Sequence, residues 1–204
     1  MKKFEYTPPE QPRELILKLG QKITDRIGHT VTAEDPEYYG LEALVTDEMA
    51  EVALKMKVRK PMTLAQAVKA TGKEEKVLEE LLQEMSNIGL LEYNWENPKH
   101  EKQYVLPMYV PGSAEFFNMK LDQIKEHPEV ASFFERMAFL PLQKVTPMVP
   151  PGGAGIGMHV IPVEKAIETE NESVSVEHIS HWLDKYDGKY AAGPCSCLLY
   201  TSDA

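Results

Sequence analysis

The sequence predicts an α+β fold, and two observations carry this prediction. Apolar residues recur at helical spacing along residues 13–27 and 36–56, and two strand-like runs at residues 90–95 and 103–106 enclose a turn-rich cluster. The chain has 204 residues, of which 43% are hydrophobic, so one or two domains with their own core are expected. Beyond the hairpin, a small mixed α/β segment leads to a Cys-x-Cys at residues 195–197.

The N-terminal segment is predicted to be a proline-rich arm followed by helices. The first helix places on one face Leu15, Ile16, Leu19, Ile23 and Ile27. Gly28 is expected to end this helix, because glycine is common just beyond a helix C-terminus. Asp35 is placed as an N-cap and Pro36 in the first turn of a second helix, which is predicted to run to Met56.

Residues 61–106 follow the order of elements found in a winged helix. Thr63 and Gln66 have the spacing of a capping box that opens a short helix. A longer helix is predicted over residues 73–87, with Gly89 as its stop. Short helix, turn, longer helix and β-hairpin together predict a winged-helix-like module.

The remaining chain is predicted to be a linker, short helices, a proline- and glycine-rich loop and a strand–helix–strand unit. Its Pro and Gly residues cluster between residues 141 and 157. The predicted division is an arm with helices at 1–60, the winged-helix-like module at 61–106, a helical linker and loop at 107–157, a strand–helix–strand unit at 158–197, and an artefact at 198–204.

Charge disfavours nucleic acid and membrane surfaces as partners. The chain carries 22 basic and 32 acidic side chains, a net charge of −10. The longer helix of the module holds Lys76 against Glu74, Glu75, Glu79, Glu80 and Glu84. Phosphates repel such a surface, so a structural or protein-docking role is favoured over DNA binding. The feature that DNA binding would use is a small basic cluster, Lys55, Lys57, Arg59 and Lys60.

No apolar run is long enough for a membrane span, and the N-terminus does not have the pattern of a signal peptide, so the cytoplasm is the expected location. The glycine loop at residues 152–157 lacks the strand-to-helix context of a nucleotide-binding loop. His178 and His181 lie on neighbouring turns of a predicted helix, off its apolar face, and are interpreted as surface residues. No G-x-S-x-G sequence is present.

Cys195 and Cys197 are the only cysteines of the chain. Residues so close together form a disulfide poorly, so free thiols or metal ligands are favoured. Thiolates are the ligands of iron–sulfur clusters and of zinc, although a cluster usually needs four of them. The residues that follow, 198–204, are what one frame of a transposon sequencing adapter encodes. An incomplete gene that leaves its natural sequence near Ser196 is therefore expected, and the adapter can also supply the codon of Cys197.

Part of the chain resembles the N-terminal region of large iron–sulfur flavoprotein oxidoreductases. These are pyridine nucleotide-disulfide oxidoreductases with four-iron ferredoxin domains. The resemblance lies in residues 111–153 and 157–180 and in Cys195-Ser196-Cys197. The resemblance covers most of residues 111–197. It is most specific at residues 161–167, IPVEKAI, and at the Cys-x-Cys.

The resemblance implies electron transfer between a nicotinamide and flavin centre and iron–sulfur clusters. Cys195 and Cys197 correspond to ligands of a 4Fe-4S cluster, whereas FAD and NAD(P) would bind downstream. The sequence departs from the family at Leu198, where arginine is expected. The present residues would then be a scaffold that contacts downstream domains of the same chain or an electron-transfer partner subunit, and this piece is expected to be inactive alone.

Two other functions remain open from the sequence. One is a winged-helix DNA-binding transcriptional regulator, since DNA binding is the usual use of such a module, with a thiol sensor at its C-terminus as an option. The other is a docking module without chemistry of its own. Salt-dependent duplex binding would favour the regulator, and stable folding without iron would favour the docking module.

Overall fold

The computed structural model describes residues 6–131 and 179–189. They belong to two compact units, with the first range in one unit and the second range in the other. The first unit combines helices with a small antiparallel sheet, so the predicted α+β class is confirmed at this level.

Ten helices and strands of the first unit are described, in the following order. They are α1 Glu14–Ile23, α2 Pro36–Leu44, α3 Asp47–Lys55, β1 Met62–Thr63, α4 Leu64–Thr71, α5 Glu75–Ile88, β2 Glu92–Asn94, β3 Gln103–Val105, α6 Ser113–Phe117 and α7 Leu121–Glu126. In the second unit, α8 spans Ile179–Lys185. This helix belongs to the predicted strand–helix–strand unit at residues 158–197, and the predicted strands of that unit lie outside the described residues.

The sheet has three strands in the order β1-β3-β2, and both pairings are antiparallel. Tyr104 lies at its centre, opposite Met62 on one side and Tyr93 on the other. The turn between β2 and β3 is held by Asn97, whose side chain donates to the Glu101 carbonyl at 2.7 Å. Because β3 lies between the other two strands, β1 and β2 form the edges of the sheet.

The core of the first unit is built from the apolar faces of its helices. The fully buried side chains with helical spacing include Ile16, Leu19 and Ile23 of α1 and Leu78, Leu82 and Met85 of α5. The prediction that Ile27 lies on the buried face of α1 is wrong. Ile27 is fully exposed, because the helix ends at Ile23.

The single helix predicted from Pro36 to Met56 is wrong, since two helices occupy this range. The break falls at Val45 and Thr46, where Thr46 Oγ1 accepts the backbone N–H of Met49 at 3.2 Å and caps α3. The apolar spacing continues through the break because α2 and α3 both bury side chains in the same core.

The helix ends of the 61–106 region agree closely with the sequence. Thr63 and Gln66 form both hydrogen bonds of the predicted capping box, at 3.3 and 3.0 Å. Gly72 and Gly89 end α4 and α5 in the left-handed conformation. The start of α5 differs: it lies at Glu75 rather than Lys73, because the Glu74 side chain accepts two backbone N–H groups of the first turn.

The segment predicted as a linker, residues 107–112, packs against the helices. Tyr109 is buried, its N–H donates to the Ile23 carbonyl at 2.7 Å, and its hydroxyl donates to the Pro36 carbonyl at 2.7 Å. The Val110–Pro111 peptide is cis. Two short helices, α6 and α7, lie in the described part of the predicted helical linker. The predicted division into five segments stays a prediction.

Candidate functional site

The residues predicted to carry chemistry lie almost entirely outside the described ranges. This holds for Cys195 and Cys197, for His178, and for the glycine loop at residues 152–157. His181 lies on α8, half-buried, with its ring edge-on to Trp182 at a centroid distance of 5.5 Å. Within residues 6–131 and 179–189, no group of three His, Cys, Asp or Glu side chains is placed to hold a metal ion.

A network of charged side chains joins the α1–α2 connection to the start of α2, and sequence reasoning missed it. Arg26 lies between two carboxylates: its Nη2 is 2.6 Å from Glu37 Oε2 and 2.9 Å from Asp35 Oδ1. Its Nε also donates to Glu37 Oε1 at 2.8 Å, so the Arg26–Glu37 pair is bidentate. The carboxylates of Asp35 and Glu37 are buried, whereas 37% of the Arg26 side chain is exposed.

Asp35 starts α2 as predicted, but its side chain does not cap the helix. The carboxylate turns back and accepts the N–H and the hydroxyl of Thr32, at 2.7 and 2.8 Å. Gln21 of α1 holds the same connection, since its side-chain amide bonds the His29 carbonyl and the Val31 N–H. The network therefore fixes the 24–35 connection against the helices on both sides of it.

The electrostatics of the network favour an ionised Asp35. Burial raises the pKa of Asp35, but hydrogen bonds from Thr32 and Arg26 more than offset this, and the net pKa lies well below its usual range. His29 Nε2 lies 3.1 Å from Asp35 Oδ1, although its alignment does not make a hydrogen bond.

Every carboxylate oxygen of the network accepts a hydrogen bond, and Glu37 Oε1 also accepts the Thr24 hydroxyl at 2.6 Å. A general base at neutral pH usually has a raised pKa, whereas the pKa of the Asp35 carboxyl is lowered, and both carboxylates are bound by Arg26. The network is therefore structural. The sequence gives little indication of the network, because the connection between Arg26 and Glu37 has neither helical nor strand spacing that would place the two residues together.

Acid should weaken the fold through Asp35. Its pKa is depressed in the folded state, so its contribution is complete above the unfolded value of about 3.9 and is lost as pH falls through the folded pKa. We expect the free energy of unfolding to fall with pH below about 4, and Asp35→Asn to flatten that slope. Urea unfolding at several pH values measures this. An equal flattening by Glu51→Gln, an exposed carboxylate on α3, would contradict it.

The outward face of α5 carries the acidic surface expected from the sequence. Glu75, Glu79, Glu80 and Glu84 are exposed, and among the described residues none of them forms an ion pair. The basic cluster from Lys55 to Lys60 is also exposed; it begins at the last residue of α3 and continues along the connection to β1. Arg59 there has a positive φ of 58°, and its N–H donates to the Leu106 carbonyl at 2.8 Å.

Lys102 connects the hairpin to α5. Its ammonium lies 4.4 Å from the Tyr93 ring centroid and 5.2 Å from that of Tyr104, and it donates to Gln83 Oε1 at 2.8 Å. The Lys102 ammonium is therefore already bound by groups of the same chain. Lys102 is therefore not available as a free phosphate-binding group on the hairpin.

A cleft of about 390 Å³ opens where the end of α5, β2 and the region after α6 meet. Its lining residues are Ser86, Asn87, Gly89, Leu91, Glu92, Tyr93, Phe116, Met119 and Lys120. They come from segments about thirty residues apart in the chain, which is why no sequence pattern indicated the cleft.

No family model, no curated protein and no solved structure matches this chain. In the described parts of the chain, no helix is both long and apolar enough to cross a bilayer.

Proposed function

We propose that residues 61–106, with α3 before them, form a winged-helix module whose role is protein docking. The order α3, β1, α4, α5, β2, β3 and the strand order β1-β3-β2 support this classification. In a DNA-binding module of this kind α5 would enter the major groove.

The observation that carries the docking role is the charge of α5. Its exposed face presents four carboxylates that form no ion pair with any other described residue, at the place where phosphate contacts would have to form. Each would have to approach DNA phosphates, which costs free energy instead of releasing counterions. A protein partner with a basic surface fits this helix better than a nucleic acid does.

We further propose that the chain belongs to an iron–sulfur flavoprotein oxidoreductase, in which Cys195 and Cys197 are cluster ligands. The resemblance at residues 161–167 and the Cys-x-Cys support this proposal. Two thiolates are half of the four that a 4Fe-4S cluster usually takes, so this chain would supply part of a site. The cluster, FAD and NAD(P) would carry the redox chemistry, and the present residues would position the two thiolates.

Duplex binding tests the docking role. We expect no saturable binding of duplex DNA up to about 100 µM protein at low salt, whereas nonspecific DNA-binding proteins reach that range. Fluorescence anisotropy of a labelled duplex measures it. A positive control reverses the charge of four carboxylates on α5, which are Glu75, Glu79, Glu80 and Glu84, to lysine.

The matched control reverses four exposed carboxylates on other parts of the chain, which are Glu10, Glu51, Asp122 and Glu126. It has the same net charge as the α5 variant. A difference in DNA binding between the two variants therefore reflects where the charges lie and not the net charge of the chain. We expect the α5 variant to bind the duplex more tightly than this control. Tight, salt-dependent binding by the unaltered chain would instead support a transcriptional regulator.

The cluster proposal is tested in a chain extended through the further cysteines that the resemblance implies. Cys195→Ser should reduce iron and acid-labile sulfide content and visible absorbance after anaerobic reconstitution, because one thiolate is lost. Ser196→Ala is the matched control and should retain the cluster. Equal iron and sulfide in both variants would show that Cys195 is not a ligand.

A further inference from the structure

We infer that the cleft beside β2 binds an extended peptide segment of a partner protein, which adds a strand to β2 and places an apolar side chain in the cleft. This inference rests on the proposed docking role of the module and names the surface and the form of the partner. It follows from the position of β2, from the lining of the cleft, and from its two charged side chains.

The first argument is that β2 is an edge strand. It pairs with β3 on one side, through Glu92 opposite Val105, Tyr93 opposite Tyr104 and Asn94 opposite Gln103. In an antiparallel pair, alternate residues direct their N–H and C=O groups away from the neighbour. Within the described part of the chain, no backbone–backbone hydrogen bond reaches β2 apart from this ladder, and the Asn94 carbonyl accepts the Asn97 side chain at 3.4 Å. An added strand would satisfy those groups.

The second argument is that the cleft lies along the same strand. Leu91, Glu92 and Tyr93 line it in succession, whereas β1 and β3 contribute no lining residue. Its apolar surface includes Met119, which is 46% exposed, and Tyr93, which is 38% exposed. A volume of about 390 Å³ is within the range of ligand sites and accommodates a large apolar side chain.

The third argument is charge. Glu92 and Lys120 both line the cleft, and neither forms an ion pair with another described residue. A segment with a basic residue near Glu92 and an acidic residue near Lys120 would complement both charges. One cation balanced by one anion does not attract a phosphate backbone, so a peptide fits this cleft better than a nucleic acid.

The experiment selects short random peptides from a display library on the immobilised 204-residue chain. We expect the enriched sequences to alternate apolar and polar residues, as an added strand requires. The best synthetic peptide is then titrated against two variants. Met119→Lys should weaken its binding about tenfold, since an apolar contact is replaced by a charge.

Leu121→Lys is the matched control: Leu121 is 50% exposed and lies near Met119 in the chain, but it does not line the cleft. It should leave peptide affinity within about twofold. Strand addition itself is tested by N-methylating alternate peptide amides. Methylation in one register should abolish binding, whereas methylation in the other register should preserve it, because only one set of amides faces β2.

Three results would overturn the inference. They are enrichment of peptides without alternation, equal binding to the Met119→Lys and Leu121→Lys variants, and edge-to-edge dimerisation of the chain that blocks peptide binding. The peptide assay does not use the α5 glutamates or Cys195. If the chain binds both DNA and the peptide, the claim that it does not bind DNA is wrong but the cleft site stands. If it binds neither, the cleft site is wrong but the claim about DNA stands.

Discussion

Arg26→Ala should lower the free energy of unfolding by about 2–4 kcal/mol. The substitution leaves the buried carboxylates of Asp35 and Glu37 without their cation, and removing one partner of a buried pair costs about 3–5 kcal/mol. The lower estimate here allows for solvent screening, because 37% of the Arg26 side chain is exposed. Urea or thermal unfolding at neutral pH measures the change.

Arg13→Ala is the control for this experiment. Arg13 also pairs with a carboxylate, but its partner Asp47 is 61% exposed, so the loss should be about 1 kcal/mol or less. If the two arginine variants lose equal stability, the network does not have the structural role assigned to it. Raising the salt concentration should reduce the loss of unfolding free energy more for Arg13→Ala than for Arg26→Ala, since salt screens buried ion pairs less.

Gly89→Ala should destabilise the protein by about 2–5 kcal/mol, for two separate reasons. Gly89 has a φ of +96°, which a residue with a Cβ rarely adopts. The added Cβ would also lie 2.7 Å from the carbonyl carbon of Phe116, and this atom belongs to the backbone. Neither α5 nor α6 can relieve that contact by rotating a side chain.

Gly72→Ala separates these two causes. Gly72 ends α4 with a φ of +71°, but an added Cβ would have no atom within 4 Å. It should therefore cost about 1–2 kcal/mol, from the backbone conformation alone. Chemical unfolding of both variants measures the difference, and equal losses would show that the approach of Phe116 to Gly89 is not tight.

The parts of the fold that the sequence predicted best depend on local interactions. The Thr63–Gln66 capping box joins side chains to backbone groups three residues away. Gly89 ends α5 by adopting the left-handed backbone conformation. These signals need no knowledge of the rest of the chain. The break at Thr46 was missed because the apolar spacing continued across it and concealed a local cap.

The charge network and the cleft depend on tertiary structure instead. Arg26 reaches Glu37 only because the 24–35 connection folds back on the start of α2. The cleft exists only because Phe116 and Met119 pack next to the end of α5 and β2. Cys195 and Cys197 lie outside the described residues, so their role as cluster ligands stays a prediction from the sequence and its resemblance.

The most direct test of the proposed oxidoreductase is the nucleotide sequence of the source locus, read from the codon of Ser180 to a stop codon with adapters removed. We expect an arginine codon after the Cys-x-Cys and further groups of cysteines downstream, which would complete the ligands of a cluster. A reading frame that continues through Leu198 and stops after Ala204 would contradict the electron-transfer proposal and leave the proposed winged-helix module as the centre of the protein's proposed function.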